Sequence, residues 1–100
     1  MGEKHFLKRL DDQGLERLRI WIYTVRGEVY DIVIQYETFK DERWNPVVRY
    51  DCAHGFFHKD GEKEKQPIEI NNLKDALAFA EKDLLNNWQR YRMNFLKSSK

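Results

Sequence analysis

The chain has 100 residues, of which 41% are hydrophobic, 35% charged and 14% aromatic, with only five Gly and two Pro. That length fits one domain and not two, and the composition excludes a disordered linker, because such chains lack the apolar side chains needed to bury a core. A formal charge of +1 excludes a strongly basic coat for non-specific nucleic-acid binding, short apolar runs exclude a membrane-spanning helix, and a single Cys excludes an internal disulfide.

Charges interrupt Met1 to Leu10 throughout, which predicts no secretory leader and, with the lone Cys, a cytoplasmic location. The same ten residues alternate His5, Leu7, Arg9 against Phe6, Lys8, Leu10; they fit a strand or a short helix, and a strand paired through the turn at Gly14 is preferred. From Leu15 to Val25, Leu18, Ile20, Ile22 and Thr24 share one parity while Arg19, Trp21, Tyr23 and Val25 share the other, the period-2 pattern of a strand. A second strong strand runs from Glu28 to Lys40, with Tyr30, Ile32, Ile34 and Tyr36 opposed to Val29, Asp31, Val33, Gln35 and Glu37. Arg26-Gly27 and Asp41-Glu42 supply turn residues at the two ends of this strand. A further strand spans about Arg43 to Ala53, with Pro46 near its start, where a missing N–H does least harm. Residues 61–66 alternate charges without an apolar anchor and read as a loop, and Ile68 with Ile70 could add a short edge strand.

The last third is helical in pattern. Asn72 and Asp75 suit a cap, and Leu73, Ala76, Leu77, Ala80, Leu84, Trp88, Tyr91 and Phe95 recur every three or four residues as one apolar face. The predicted fold is therefore α+β: an antiparallel meander of about four strands, with a short fifth possible, packed on one long C-terminal helix. Its single domain covers residues 1–100, with the sheet over about 4–59, a loop over about 60–67 and the helix over about 72–97. A helix of that length measures roughly 39 Å, against a diameter of roughly 34 Å for a compact domain of this size. Its final turn is predicted to overhang. One helix covers one face of the sheet, which leaves Trp21, Tyr23, Val29, Val33 and Val47 on the other, and of these Trp21, Tyr23 and Val33 are candidate partner-binding residues, for a second copy or another protein.

Chemical content concentrates in the segment W-N-P-V-V-R-Y-D-C-A-H-G-F-F-H-K-D, from Trp44 to Asp60. Strand alternation separates Arg49 and Asp51 from Tyr50, Cys52 and His54, and Gly55 offers a turn that brings His58 back toward His54. Cys52, His54 and His58 with Asp51 or Asp60 have the atom types of a metal site, but the spacing matches no standard zinc pattern, and no metal or other cofactor is predicted. An imidazole that titrates near neutrality and a guanidinium able to clamp a phosphate would suit metal-independent RNA cleavage by His54 or His58, with Arg49, Asp51 and Tyr50 in support. The plainer alternative makes Arg49 and Asp51 a cross-strand ion pair and His54 a turn residue, which leaves open whether the protein is an enzyme. Charge is also uneven: residues 27–51 carry an acidic excess, whereas Arg90, Arg92, Lys97 and Lys100 follow Asn86 with no acid. Those cations suit a helix C-terminus, and the aromatics among them belong to the apolar stripe.

The run Trp44, Pro46, Val47, Val48, Arg49, Tyr50, Asp51, Ala53, His54, Gly55, His58, Asp60, with Ala76 to Ala80 and Asn87-Trp88, resembles a family of small, uncharacterised bacterial and archaeal proteins. Its R-Y-D-x-A-H-G core is also similar to that of the TumE-type toxins of toxin–antitoxin pairs, over the hairpin around His54. The resemblance implies a functional end of the sheet formed by Arg49, Asp51, His54 and His58, acting on RNA or another phosphate-containing substrate, and an outer face that meets an antitoxin. The rival expectation is a non-catalytic module whose outer face binds a protein or forms a homodimer.

Overall fold

A computed structural model of the chain describes residues 2–51, 58–60, 66–67 and 73–98. Among them run six strands and one helix: β1 (Gly2–Arg9), β2 (Glu16–Val25), β3 (Glu28–Lys40), β4 (Arg43–Asp51), β5 (His58–Asp60), β6 (Gln66–Pro67) and α1 (Leu73–Ser98). The strands form one antiparallel sheet in sequence order, β1-β2-β3-β4-β5-β6. The meander and its long helix are thus as expected, and the N-terminal ten residues take the strand alternative. Ala53 at the predicted end of β4, Ile68 and Ile70, most of the charged loop and the Asn72 cap fall outside the described residues, whereas Asp60, Gln66 and Pro67, read as loop, lie in strands because they pair onto the growing sheet.

Local chemistry fixes the turns. Arg26 and Gly27 have φ of 53° and 80°, and Asp41 and Glu42 have 56° and 64°. Two successive residues with positive φ give the tight hairpin turn whose twist matches that of its strands. Between β1 and β2 the Asp11 carboxylate accepts the N–H groups of Leu15 at 3.0 Å and Glu16 at 3.2 Å, and Gly14 supplies a φ of 74°.

Two irregularities re-aim side chains. Tyr23 pairs with Asp31 but Thr24 pairs with Val29, so Tyr30 is an extra residue in β3. Strict alternation places Tyr30 with the core residues; the bulge instead leaves it 63% exposed and packs Val29 against the core. In the β3–β4 pair, Tyr36 opposes Val48 and Glu37 opposes Pro46, so Val47 is the extra residue, and both valines are buried. Among the described residues β5 pairs with Arg49 to Asp51, and none of that ladder falls on Pro46, which has no N–H to offer it.

The inner face brings Leu18, Ile20, Ile32, Ile34, Tyr36, Val48 and Tyr50 against Ala76, Ala80, Leu84 and Tyr91. Leu73, Leu77, Trp88 and Phe95 complete the predicted stripe at its margins. The helix packs on β3 and β4, and β1 stays exposed along its whole length. The molecule measures 43 × 26 × 20 Å. It is therefore a slab lengthened to match helix and long strands, and Phe95 packs on the core instead of overhanging it.

Candidate functional site

The face of the sheet turned away from α1 carries the residues with chemistry. Register places Arg9, Arg17 and Glu37 in one row across β1, β2 and β3, Leu7, Arg19, Gln35, Arg49 and Asp60 in the next across β1 to β5, and His5, Trp21, Val33 and Asp51 in a third. At the centre lies Glu37, only 6% exposed. Its carboxylate accepts from Arg17 Nε at 2.8 Å, Arg19 Nε at 3.2 Å and Gln35 Nε2 at 2.6 Å. Burial alone would raise its pKa; the Arg17 and Gln35 hydrogen bonds and the Arg19 charge outweigh that and hold it below the usual carboxylate range.

The arginines are also stacked. Arg17 lies 3.7 Å over the Trp44 ring, with Phe39 edge-on to Trp44 at 5.3 Å. Arg19 lies 5.6 Å from the Trp21 ring centroid and donates to His5 Nε2 at 3.4 Å, while His5 and Trp21 stack in parallel at 4.9 Å. This layer of long side chains covers Val33, which is 9% exposed, and leaves Trp21 and Tyr23 half-buried. Of the candidate partner residues, only the two aromatics keep substantial surface.

At the far end of the face, Arg49 Nε donates to Asp51 Oδ2 at 3.0 Å, an ion pair along β4 and not between strands. Arg49 remains largely exposed while Asp51 is mostly covered. The β4–β5 register sets Asp51 opposite His58 and Arg49 opposite Asp60. His54 and Cys52 lie in residues 52–57, outside the described residues, as does the side chain of His58. The structure thus brings Arg49, Asp51 and the His58 backbone together, and the segment containing His54 connects them.

A second polar cluster, which alternation alone does not reveal, lies under the sheet at the same end. Lys59, 9% exposed, donates to the Tyr91 hydroxyl at 2.6 Å and stands 3.8 Å from Asp83 Oδ2. Tyr91 donates to the Asp83 carboxylate at 2.7 Å, Tyr50 donates to it at 2.6 Å and Asn87 Nδ2 donates at 2.9 Å. Burial pushes the Tyr91 hydroxyl up, the Lys59 hydrogen bond opposes that, and Asp83 reinforces it. These contacts clamp β5 to the helix through Lys59. Sequence offered a faint signal for it: Tyr50 and Tyr91 lie on faces that pack together, and Asp83 and Asn87 flank the apolar stripe one turn apart.

Sequence reasoning also passed over Arg9 and Arg17 and took Trp44 only as part of a motif, although Arg9, Arg17 and Arg19 share the outward parity of their strands. Among the described residues, no helix is long and apolar enough to cross a membrane.

No curated protein and no solved structure matches this chain. The family described as a domain of unknown function, DUF7718, matches over residues 1–100, and the chain belongs to that family.

Proposed function

We propose that this protein contacts single-stranded RNA through the open face of its sheet, in the manner of a small toxin-like RNA-directed protein. The observation that carries the reading is the concentration of Arg9, Arg17, Arg19 and Arg49, with Trp21, Trp44 and His5, on the one sheet face that the helix leaves uncovered. Guanidinium groups bind phosphate in bidentate fashion, and aromatic or guanidinium planes stack exposed bases. Strands lie about 4.8 Å apart, so Arg19 on β2 and Arg49 on β4 stand roughly 10 Å apart, within reach of one extended strand of RNA. The resemblance of R-Y-D-x-A-H-G to TumE-type toxins supports the same substrate class, with Arg49, Asp51, His54 and His58 as the residues that would carry out cleavage.

The test has two arms. Anisotropy of a labelled eight-nucleotide single strand should report binding that weakens with salt, and Arg49→Gln should weaken it further; absence of binding by the wild type rejects the reading. Inducing wild type and His54→Ala in cells, with growth and total RNA integrity followed, separates cleavage from binding. Equal, harmless behaviour rejects the cleavage step.

A second reading, association with a second copy, is favoured by one observation: β1 is an open sheet edge exposed over all eight residues, including Phe6 and Leu7. Sedimentation at several concentrations checks it, and a strict monomer refutes it.

A further inference from the structure

An open concavity of about 370 Å³ lies at the corner of the outer face away from His58, lined by Leu7, Arg9, Gln13, Gly14, Arg17 and Trp44. Its charge is unusual for a sheet. Arg9 and Arg17 are direct cross-strand partners, and like charges opposite one another are destabilising. Across the row, Arg17 shares the single carboxylate of Glu37 with Arg19, so that carboxylate cannot balance three guanidinium groups. A sequence that breaks a local rule without compensation inside the fold commonly does so for a ligand.

The two groups are also held in place. Arg9 donates from one terminal nitrogen to the backbone oxygen of Asp12 at 2.6 Å, in a turn shaped by Gly14. Arg17 is fixed through Nε by Glu37 and by the Trp44 ring beneath it. Both therefore keep other N–H groups for a ligand while their side-chain freedom is already spent, which lowers the entropy cost of binding. The volume lies at the small end of ligand pockets and accommodates a phosphate with its sugar, and Leu7 and Trp44 provide an apolar wall beside it.

We propose that this concavity is an oxyanion site, in which Arg9 and Arg17 together bind one phosphate of the RNA strand. The inference rests on the RNA reading above for its ligand but not for its charge chemistry. Three variants, Arg9→Gln, Arg49→Gln and, as a control of equal charge change on the exposed helix surface, Lys82→Gln, are compared with the wild type. Two probes are used: the eight-nucleotide single strand, and inorganic pyrophosphate followed through the indole N–H resonance of Trp44.

Arg9→Gln is expected to weaken the oligonucleotide by about tenfold, the loss of a charge-assisted contact. It should also flatten the slope of log affinity against log salt by about 0.7, the value of one phosphate on a single strand. Lys82→Gln should leave both unchanged, and pyrophosphate should move the Trp44 resonance in the wild type and not in Arg9→Gln. If Arg49→Gln weakens the oligonucleotide while Arg9→Gln behaves like Lys82→Gln, the oxyanion site is refuted and the binding face stands. If no protein binds the oligonucleotide, the RNA reading fails and pyrophosphate decides: a shift confined to proteins retaining Arg9 upholds the site, and an unmoved Trp44 resonance overturns it. Arg9 is exposed, and a matching unfolding midpoint establishes that the variant is folded.

Discussion

Replacing Glu37 by Gln tests whether the outer face is organised by one buried carboxylate. The substitution keeps the shape of the side chain and one acceptor oxygen, but removes the charge that Arg17 and Arg19 share and that Gln35 contacts at 2.6 Å. Breaking a fully buried ion pair from one side costs about 3 to 5 kcal/mol, because the remaining charge is left without its partner. Glu37 is almost fully covered, but the Arg17 and Arg19 side chains are 14% and 27% exposed, so water takes up part of their charge. The expected cost is accordingly about 2 to 3 kcal/mol. In a domain of this size that lowers the thermal midpoint by roughly 10 to 20 °C. Urea unfolding followed by tryptophan fluorescence gives the free energy by linear extrapolation, and an unchanged m-value would show that the lower midpoint reflects lost stability and not a change in the surface exposed on unfolding. Anisotropy on the same sample should move the other way, with tighter oligonucleotide binding, because the arginines lose a competing carboxylate. A variant within about 0.5 kcal/mol of the wild type, the range of ordinary surface substitutions, would refute the organising role of Glu37.

The same carboxylate sets an acid limit. Its folded-state pKa lies below its unfolded value of about 4.3, so its contribution is complete above that value and is lost as pH falls through the folded-state pKa; urea midpoints taken from pH 6 to 3 should drop more steeply for the wild type than for Glu37→Gln. Tyr91→Phe removes the hydroxyl that accepts from Lys59 and donates to Asp83, and should cost about 1.5 to 3 kcal/mol in urea unfolding, whereas Tyr30→Phe at the exposed bulge should cost under about 0.5; equal effects would show that the cluster under β5 contributes nothing. Glu42→Gly should stabilise by about 1 kcal/mol, since Glu42 holds a φ of 64° in a turn that suits glycine, and a lowered thermal midpoint would contradict the turn geometry.

The near-zero net charge proves to be a poor summary of the surface. Ion pairs bridge the layers: Arg92 of the basic helix end reaches buried Glu16 at 3.4 Å, Lys8 reaches Glu81 at 3.4 Å, and Lys59 faces Asp83. The cations of the helix end are thus partly engaged in holding the sheet. The cations of the proposed binding face sit on the opposite side of the sheet, at arginines that the sequence scatters from Arg9 to Arg49.

By itself the sequence determined β2 to β4, their order and the apolar stripe of the helix, because period-2 and period-3.6 patterns are properties of neighbours in the chain; it left β1 open between strand and helix and did not mark β5 or β6. It also marked the turns, since Gly14, Arg26-Gly27 and Asp41-Glu42 act locally on φ. Tertiary structure decided what alternation cannot express. The bulge at Tyr30 reversed one tyrosine, and the helix chose β3 and β4 and left β1 bare. Pairing across strands then placed Arg9 against Arg17 and stretched Arg17 over Trp44, and the buried Lys59 met Tyr91 and Asp83 from 24 and more residues away. Such contacts depend on which elements lie side by side. That is fixed only when the sheet closes its register and the helix settles on one face, and both the proposed RNA face and its oxyanion corner exist only at that stage.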